Sequence, residues 1–249
     1  MISKNQIKQI SQLKQKKFRE IEQKFIAEGI KVIQELIASD LKLIHIYSTE
    51  DFDFGVQPNL ISQISESDLK KISALTNPNT CLAVFEIPAL PQPKTEGLQV
   101  ALDDIRDPGN LGTIIRLCDW FGISDLICSE TTVDVYNPKV VQATMGSITR
   151  VNIHYVDLKK YLEQTDLPIY GTFMDGENIY KEKLATDGII VMGNEANGIS
   201  AEIEKLVTKR ISIPRFGTLQ ATESLNVATA TAITLSEFKK KKKSYIVLI

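Results

Sequence analysis

The chain has 249 residues, of which 43% are hydrophobic and 24% charged, and its formal net charge is −2. This composition is typical of a globular protein with enough apolar material for one large domain or two smaller ones. No run of apolar residues is long enough to predict a membrane-spanning helix. The first residues also lack the apolar segment of a signal peptide. We therefore expect a cytoplasmic protein that does not enter a membrane.

Cysteine and histidine are scarce, and their spacing excludes several kinds of site. Cys81, Cys118 and Cys128 are scattered without a CxxC pair, and His45 and His154 are the only histidines. An odd, unpatterned set of cysteines indicates a reducing compartment and argues against structural zinc. A metal site of several histidines is excluded. A Ser-His-Asp or Cys-His site stays open, although the chain supplies few histidines for one.

The small net charge hides an uneven distribution. Residues 1–31 carry a net charge of +5 and residues 236–249 carry +4, which leaves −11 on residues 32–235. Basic ends on an acidic body would suit contact with a polyanion such as RNA. The alternative is that "KKKKK" at 239–243 is a solvated helix end, where the helix dipole favours cations. On charge alone, this alternative is the better one.

In chain order, the first part predicts a small α/β domain over residues 1–88. A basic amphipathic helix runs to about Phe25, and a second helix follows in "AEGIKVIQELIAS". "LKLIHIYST" and "TCLAVFEI" predict strands. Between them lies a helix in "SESDLKKISAL", with Ser65 as its cap and capping-box spacing to Asp68. "PALPQPKTEG" has three prolines in six residues and ends in glycine, which predicts a linker over 89–97.

In the second part, residues 98–249, predicted strands and helices alternate. The strands are in "LQVALDDI", "SDLICSE", "TRVNIHYV", "LPIYGTFMD", "GIIVMGNE" and "RISI". The helices are 110–121, "NPKVVQATMGS" (capped by Asn137, with Pro138 first), "DLKKYLEQ", "SAEIEKLVTK" and "ESLNVATATAITLSEF". This alternation predicts an α/β domain with a parallel sheet and helices on both faces. The terminal "SYIVLI" is too short to assign.

Three loops that each follow a strand and precede a helix are candidates for a binding site. They are "DPGNLG" (107–112), "GNEANG" (193–198) and "PRFGTLQATE" (214–223). Ligands of parallel sheets bind beyond the carboxyl ends of the strands, where such loops lie. None of the three matches the dinucleotide or P-loop pattern. We therefore expect a cofactor without phosphates.

Read locally, the polar residues of these loops have ordinary structural interpretations. Arg116 on its helix would pair with Asp119 across one turn, Asn110 would be an N-cap, and Glu195 would satisfy backbone donors of its turn. Ser224 and Asn226 precede the last helix, where they would either cap it or help to bind an anionic group. That helix carries the small residues 228–232, which favour close approach of another backbone.

Taken together, the motifs resemble a known family. "NLGTIIR", "VMGNEANGIS" and "IPRFG…ESLNVATATAI" are similar to the three motifs of the SpoU (TrmH-like) branch of the SPOUT RNA methyltransferases, over residues 98–238. Residues 18–88, with "FIAEGIKVIQELI" and "CLAVFEIP", resemble the small RNA-binding domain of its ribosomal-RNA members. One departure is that Gly217 and Ser224 are farther apart than in many members.

The resemblance implies a parallel sheet with a deep C-terminal trefoil knot, although knots are rare in general. It also implies transfer of a methyl group from S-adenosylmethionine to a ribose 2′-hydroxyl by a homodimer, without a metal. The substrate that it favours is 23S (large-subunit) ribosomal RNA. Transfer RNA and a non-catalytic RNA-binding role on the same fold are the alternatives, and a small-molecule α/β enzyme is disfavoured.

The same resemblance assigns roles to individual residues. The catalytic set is Asn110, Arg116, Glu195, Ser224 and Asn226. The cofactor would be bound by Thr172, Gly193, Ile213 and Leu225, largely through backbone groups. The motif arginine would take the ribose proton. Arginine stays protonated in water, which makes it a poor base. The alternative role is therefore to bind a backbone phosphate and to stabilise the alkoxide that develops on the ribose.

Overall fold

The computed structural model describes residues 2–217 and 224–240. There the helices are α1 (Lys4–Gln12), α2 (Lys16–Glu22), α3 (Ile30–Ile37), α4 (Glu66–Ile72), α5 (Pro108–Phe121), α6 (Pro138–Thr144), α7 (Leu158–Glu163), α8 (Ala201–Glu204) and α9 (Val227–Lys240). The strands are β1 (Lys24–Glu28), β2 (Leu43–Ser48), β3 (Ile61–Gln63), β4 (Cys81–Glu86), β5 (Leu98–Leu102), β6 (Asp125–Ser129), β7 (Asn152–Val156), β8 (Ile169–Asn178), β9 (Gly188–Met192) and β10 (Lys209–Ser212). These elements form two compact units.

The first unit contains the residues up to Leu90 together with Asp134–Thr149. Its four-stranded sheet has the order β1-β4-β2-β3, in which β4 is antiparallel to both neighbours and β3 is parallel to β2. Helices α1 and α4 pack on one face of this sheet, over Ile26, Leu82 and Val84. The Ser65 hydroxyl accepts a hydrogen bond from the Asp68 backbone N–H, so the predicted cap is confirmed.

The predicted helix to about Phe25 is wrong, because the chain forms two short helices and then a strand. Gln23 ends α2 with a left-handed backbone, at φ 51°. Phe25 lies in β1, is fully buried, and stacks on Phe85 of β4 with 5.7 Å between ring centroids. Antiparallel pairing with β4 places Lys24 opposite Glu86. Burial in the sheet therefore overrides the local helical pattern.

Residues 134–149 follow β6 in the chain but pack within the first unit. Arg19 is 3% exposed; its Nε donates to Asp134 Oδ2 over 3.0 Å and its Nη1 donates to the Leu13 carbonyl over 2.8 Å. The ring of Tyr136 lies 4.8 Å from that of Phe25. A charge as deeply buried as Arg19 needs such partners.

The predicted domain boundaries (1–88, 89–97 and 98–249) stay a prediction.

The second unit contains a six-stranded parallel sheet with the order β10-β8-β9-β5-β6-β7, which confirms the predicted α/β domain with a parallel sheet. Helices α7 and α8 cover one face, which presents Ala101, Ile127 and Ile189. Helix α9 packs against α5, and its Phe238 meets the ring of Tyr170 edge-on. Tyr170 follows Ile169 in β8, and neighbouring strand residues point to opposite faces. Helices therefore lie on both faces.

Some predictions fall at the edge of the described residues or beyond it. Asn137 caps α6 and Pro138 is its first residue, as predicted. Lys239 and Lys240 form the last described turn of α9, in agreement with a lysine run at a helix end. The remaining lysines of that run and "SYIVLI" lie outside the described residues. No helix of the described chain is long and apolar enough to cross a membrane.

A buried polar network holds the amino-terminal ends of β6 and β7. Asp125 is 2% exposed and accepts hydrogen bonds from Ser124 Oγ (2.6 Å) and Asn152 Nδ2 (3.3 Å), while His154 Nε2 lies 3.0 Å from Asp125 Oδ1. Burial alone would raise the pKa of Asp125, but the bonds from Ser124, His154 and Asn152 outweigh it, so the pKa is lowered. The folded protein therefore favours the ionised carboxylate.

This network predicts a pH-dependent stability. A carboxyl group whose pKa is lowered by folding stabilises the protein above its unfolded pKa, and that contribution is lost as the pH falls. We expect Asp125→Asn to lower the free energy of unfolding by about 1–3 kcal/mol at pH 7. The deficit should shrink below about pH 4, where the unfolded carboxyl begins to bind a proton. Urea unfolding across this range measures it, with exposed Asp166→Asn as the control. A deficit that is constant with pH would contradict the assignment.

Candidate active site

Three of the four predicted cofactor residues lie at one edge of the parallel sheet. Strands β10, β8 and β9 are neighbours, so their carboxyl ends meet. Ile213 directly follows β10, Thr172 lies within β8, and Gly193 directly follows β9. The loop after β5, the next strand, leads into α5 and Asn110. The topology thus brings the first two predicted loops and the start of the third to the edge where ligands of such sheets bind.

A chain of side-chain hydrogen bonds joins the three motifs. Asn110 Nδ2 donates to Glu195 Oε1 over 2.9 Å, and Asn226 Nδ2 donates to Asn110 Oδ1 over 2.8 Å. The direction of the second bond is fixed, because Asn226 Oδ1 accepts from the backbone N–H groups at the start of α9. We call these three side chains the amide–carboxylate chain. It connects residues that are far apart in sequence into one site.

The local interpretations of Asn110 and Glu195 are both wrong. Helix α5 begins at Pro108 and is capped by Asp107, whose carboxylate accepts from the Asn110 backbone N–H over 2.8 Å. The backbone donors of the "GNEANG" turn are satisfied by Asn194, not by Glu195. Because neither side chain is used in a local cap or turn, both are available to the amide–carboxylate chain.

Asn194 is a site residue that the sequence reasoning missed. Its Oδ1 accepts from the backbone N–H groups of Ala196 (2.9 Å) and Asn197 (3.1 Å), and its Nδ2 donates to the Asp104 carbonyl over 2.7 Å. It therefore both shapes the turn that carries Glu195 and ties it to the loop after β5. An asparagine beside a glycine just after a strand is a signal for such a turn, but its partner Asp104 could not be predicted from the sequence.

Gly193 is required by the space around it. A side-chain carbon at this position would lie 2.3 Å from Gly198 C and 2.3 Å from Ile199 N, so no other residue fits without moving the backbone. The backbone groups of Gly193, Ile213 and Leu225 form no hydrogen bond with any residue in the ranges 2–217 and 224–240. The backbone N–H and C=O groups of these three residues therefore suit a cofactor that is bound through backbone groups. The hydroxyl of Thr172, in contrast, donates to the Val191 carbonyl.

Arg116 does not form the local ion pair. The carboxylate of Asp119 accepts from Arg150 Nε over 2.9 Å, while Arg116 is exposed and has no ion pair or hydrogen bond with any described residue. Thr113 and Trp120 are also exposed on this side of α5, and Trp120 is 83% exposed. The guanidinium therefore presents its donors outward, where a second molecule can reach them.

The remaining predicted site residues are exposed or outside the described chain. Ser224 is exposed beside Leu225, which is 48% exposed. The lengthened loop between Gly217 and Ser224 consists of residues 218–223, which lie outside the described residues. The roles assigned to Ser224, Leu225 and the other site residues stay predictions.

The alternative nucleophiles are poorly placed. Burial raises the pKa of Cys118 to about 12, and it raises the pKa of Cys128 further above the usual range. Both thiols are therefore protonated and inert. The His154–Asp125 pair lies where β6 begins, and so at the opposite end of the sheet from the candidate site. No group of three or more potential metal ligands occurs among the described residues.

Comparison with known proteins agrees with this geometry. Residues 97–236 match the model of the SpoU rRNA Methylase family, and residues 4–83 match that of the MRM3-like substrate binding domain. The fold and site thus define an α/β methyltransferase preceded by a substrate-binding domain. The chain belongs to the SpoU rRNA methylase family.

Relatives of known name and structure match nearly the whole chain. The RlmP 23S rRNA (guanosine(2553)-2′-O)-methyltransferase of Bacillus subtilis is 28% identical, over 93% of this chain and 95% of the relative. A putative TrmH-family RNA methyltransferase from Porphyromonas gingivalis is 38% identical, with a TM-score of 0.83 over 97% of this chain and 99% of that one. An AdoMet-bound rRNA methyltransferase from Sinorhizobium meliloti is 28% identical, with a TM-score of 0.83 over 98% of each chain.

The amide–carboxylate chain predicts a specific charge effect. Asn110→Asp would replace the donor to Glu195 with a second carboxylate, so we expect the free energy of unfolding at pH 7 to fall by about 0.5–1 kcal/mol. Adding Glu195→Gln should restore most of this loss, because the glutamine carries no charge and can donate. Urea unfolding of the two single variants and the double variant measures the coupling. Additive effects of the two substitutions would contradict the contact.

Proposed function

We propose that this protein transfers a methyl group from S-adenosylmethionine to a ribose 2′-hydroxyl of large-subunit ribosomal RNA. The observation that carries the proposal is the amide–carboxylate chain, which joins Asn110, Glu195 and Asn226 beside the exposed Arg116. A relative that spans nearly the whole chain is named as a 23S rRNA 2′-O-methyltransferase, which favours ribosomal RNA over the alternative, transfer RNA. The match to a substrate-binding domain over residues 4–83 agrees with an RNA substrate.

The residues at the carboxyl edge of the sheet fit the proposed cofactor. Backbone groups of Gly193, Ile213 and Leu225 are unengaged among the described residues, and would bind its polar groups. The related rRNA methyltransferase from Sinorhizobium meliloti has AdoMet bound. When bound, S-adenosylmethionine supplies an electrophilic methyl group. The role of this chain is then to hold the ribose oxygen in line with that group, because positioning contributes much of the rate in such reactions.

Arg116 is the residue that we propose to act on the ribose. Its guanidinium carries five N–H donors in a planar fork, which suits a backbone phosphate and the charge that develops on the 2′-oxygen. Because arginine stays protonated in proteins, we favour electrostatic stabilisation, a role in which the guanidinium keeps its proton. The alternative is that Arg116 takes the 2′-hydroxyl proton itself. In either role, Asn110 and Glu195 would fix the position of the ribose, with Ser224 and Asn226 shaping the pocket.

We also propose that the protein acts as a cytoplasmic homodimer whose catalytic domain is knotted. Trp120 is 83% exposed one turn from Arg116, and large exposed aromatic side chains are typical anchors of interfaces. The knot is what the resemblance of the three motifs to the SpoU family implies, and the match of residues 97–236 to that family supports it. The dimer would place Arg116 of one subunit near the site of the other.

Substitution of Arg116 tests the catalytic proposal. With labelled S-adenosylmethionine and total RNA, we expect the wild type to form 2′-O-methylated ribose, and Arg116→Ala to reduce kcat by about 100- to 10,000-fold. Arg116→Lys keeps the charge but loses the planar fork, so it should also be impaired. Near-full activity of Arg116→Lys would contradict both roles. Wild-type protein that binds RNA but methylates neither ribosomal nor transfer RNA would support the non-catalytic alternative.

Substitution of Trp120 tests the dimer. If this side chain anchors the interface, Trp120→Ser should weaken self-association by about 30-fold or more, because a central tryptophan commonly contributes about 2 kcal/mol or more to binding. Sedimentation equilibrium measures the dissociation constant. Phe216→Ser is a matched control, because Phe216 is also 83% exposed but lies outside α5. A wild-type monomer, or equal effects of the two substitutions, would contradict the proposal.

A further inference from the structure

Two consecutive aspartates directly after β5 hold the "GNEANG" turn from both sides. The carboxylate of Asp103, which is 7% exposed, accepts a hydrogen bond from the Ser200 backbone N–H over 2.7 Å, just beyond the end of the turn. The backbone carbonyl of Asp104 accepts from Asn194 Nδ2, also over 2.7 Å, near the start of the turn. One side of the turn is therefore held by a side chain and the other by a backbone group.

The "GNEANG" turn is closed by its own hydrogen bonds, so the position of Asn194 determines that of Glu195. Asn194 and Gly198 exchange two backbone hydrogen bonds of 2.9 Å each. Asn194 Oδ1 also accepts from two N–H groups inside the turn. Glu195 follows Asn194 directly and accepts from Asn110 Nδ2 over 2.9 Å. A displacement of Asn194 would therefore move the Glu195 carboxylate relative to α5.

Asp104 makes its contact with Asn194 through an unusual backbone conformation. Its φ is 61°, in the left-handed region that few residues other than glycine, asparagine and aspartate adopt. Its N–H donates to Ser129 Oγ at the end of β6, over 2.9 Å, while its carbonyl faces the turn after β9. Strand β5 lies between β6 and β9, and a residue within a strand directs both groups to the same neighbour. The left-handed backbone allows Asp104 to bind both neighbours.

The carboxylate of Asp104 has a different partner. Arg106 Nε donates to Oδ1 and Arg106 Nη2 lies beside Oδ2, each at 3.0 Å, and the arginine side chain is 73% exposed. Exposed ion pairs of this kind contribute little to stability. Asn194 Nδ2 also lies 3.3 Å from Asp104 Oδ2, but its bond to the carbonyl is shorter, at 2.7 Å. The backbone carbonyl is therefore the main contact that holds the turn.

We propose that Asp104 is a positioning residue for methyl transfer, and that it acts through its left-handed backbone and not through its charge. It places Asn194, and through Asn194 it places the Glu195 carboxylate that accepts from Asn110. The inference rests on the proposed function, because it takes the amide–carboxylate chain to fix the position of the ribose. It assigns to Asp104 itself no contact with RNA or cofactor.

A series of substitutions at Asp104 separates the backbone from the carboxylate. Asp104→Gly and Asp104→Asn favour the left-handed conformation, whereas the branched side chain of Asp104→Val opposes it. The assay is methyl transfer to a transcript of Bacillus subtilis 23S rRNA at saturating S-adenosylmethionine. We expect Asp104→Val to lower kcat by about 10- to 100-fold, because small misplacements of catalytic groups have effects of this size. The glycine and asparagine variants should keep most of the wild-type kcat, and the Kd for RNA should be unchanged throughout.

Gln23→Val is the matched control for backbone strain. Gln23 also has a left-handed backbone, at φ 51°, but it is exposed and lies in the first unit, so its substitution should leave kcat unchanged. A second measurement does not depend on activity. In protein that is isotope-labelled only at asparagine, we expect the NMR signals of the Asn194 and Asn110 carboxamides to shift in Asp104→Val. They should shift far less in Asp104→Gly.

The outcomes separate this inference from the proposed function. If the wild type methylates RNA but Asp104→Val keeps the kcat of the Gln23→Val control, the inference is overturned and the function stands. If the glycine and asparagine variants lose as much activity as Asp104→Val, the carboxylate is the active part and the inference is also overturned. If the wild type methylates no RNA, the function fails, while the carboxamide signals still decide whether Asp104 places the turn. If Asp104→Val does not fold, Asp104→Ala decides, because its smaller side chain opposes the left-handed backbone less strongly.

Discussion

The candidate site depends on the two hydrogen bonds of the Asn110 carboxamide. One bond reaches Glu195 and the other reaches Asn226, so a single side chain joins three loops of the parallel sheet. A carboxamide suits this position because it donates at one end and accepts at the other. Asn226 can donate only because the first turn of α9 occupies its oxygen. Each bond of the amide–carboxylate chain therefore fixes the direction of the next.

The sequence predicted the second unit well because its signals are local and regular. Alternation of strands and helices, Pro138 after Asn137, and turn residues at strand ends all predict a parallel α/β sheet. The start of the chain was predicted less well. Its helical pattern continues into Phe25, but pairing with β4 is decided by residues that lie far away in the sequence. Arg19 is a similar case, since its partner Asp134 follows it by 115 residues.

For the site, composition and spacing identified the loops but assigned the wrong local partners. Taken alone, Asn110, Glu195 and Arg116 have ordinary roles in a cap, a turn and an ion pair, and the structure gives those roles to Asp107, Asn194 and Arg150. The resemblance of three motifs indicated that these residues belong together. The resemblance did not identify Asp107, Asn194 and Arg150, which take the local roles instead. These partners can be recognised only when the folded loops are in contact.

Arg150 shows how that competition shapes the chemistry. Asp119 lies one turn from Arg116, at the spacing that favours an ion pair on a helix. Its carboxylate is held instead by Arg150, at 2.9 Å. If Asp119 paired with Arg116, it would neutralise the guanidinium and occupy donors that a phosphate or a developing alkoxide requires. The contact between Asp119 and Arg150 therefore leaves the Arg116 guanidinium, on the exposed side of α5, without a charged partner among the residues that the structure describes. The central 204 residues (32–235) carry a net charge of −11. The exposed Arg116 therefore offers an RNA phosphate a local positive site, whereas the rest of this acidic span disfavours phosphate binding.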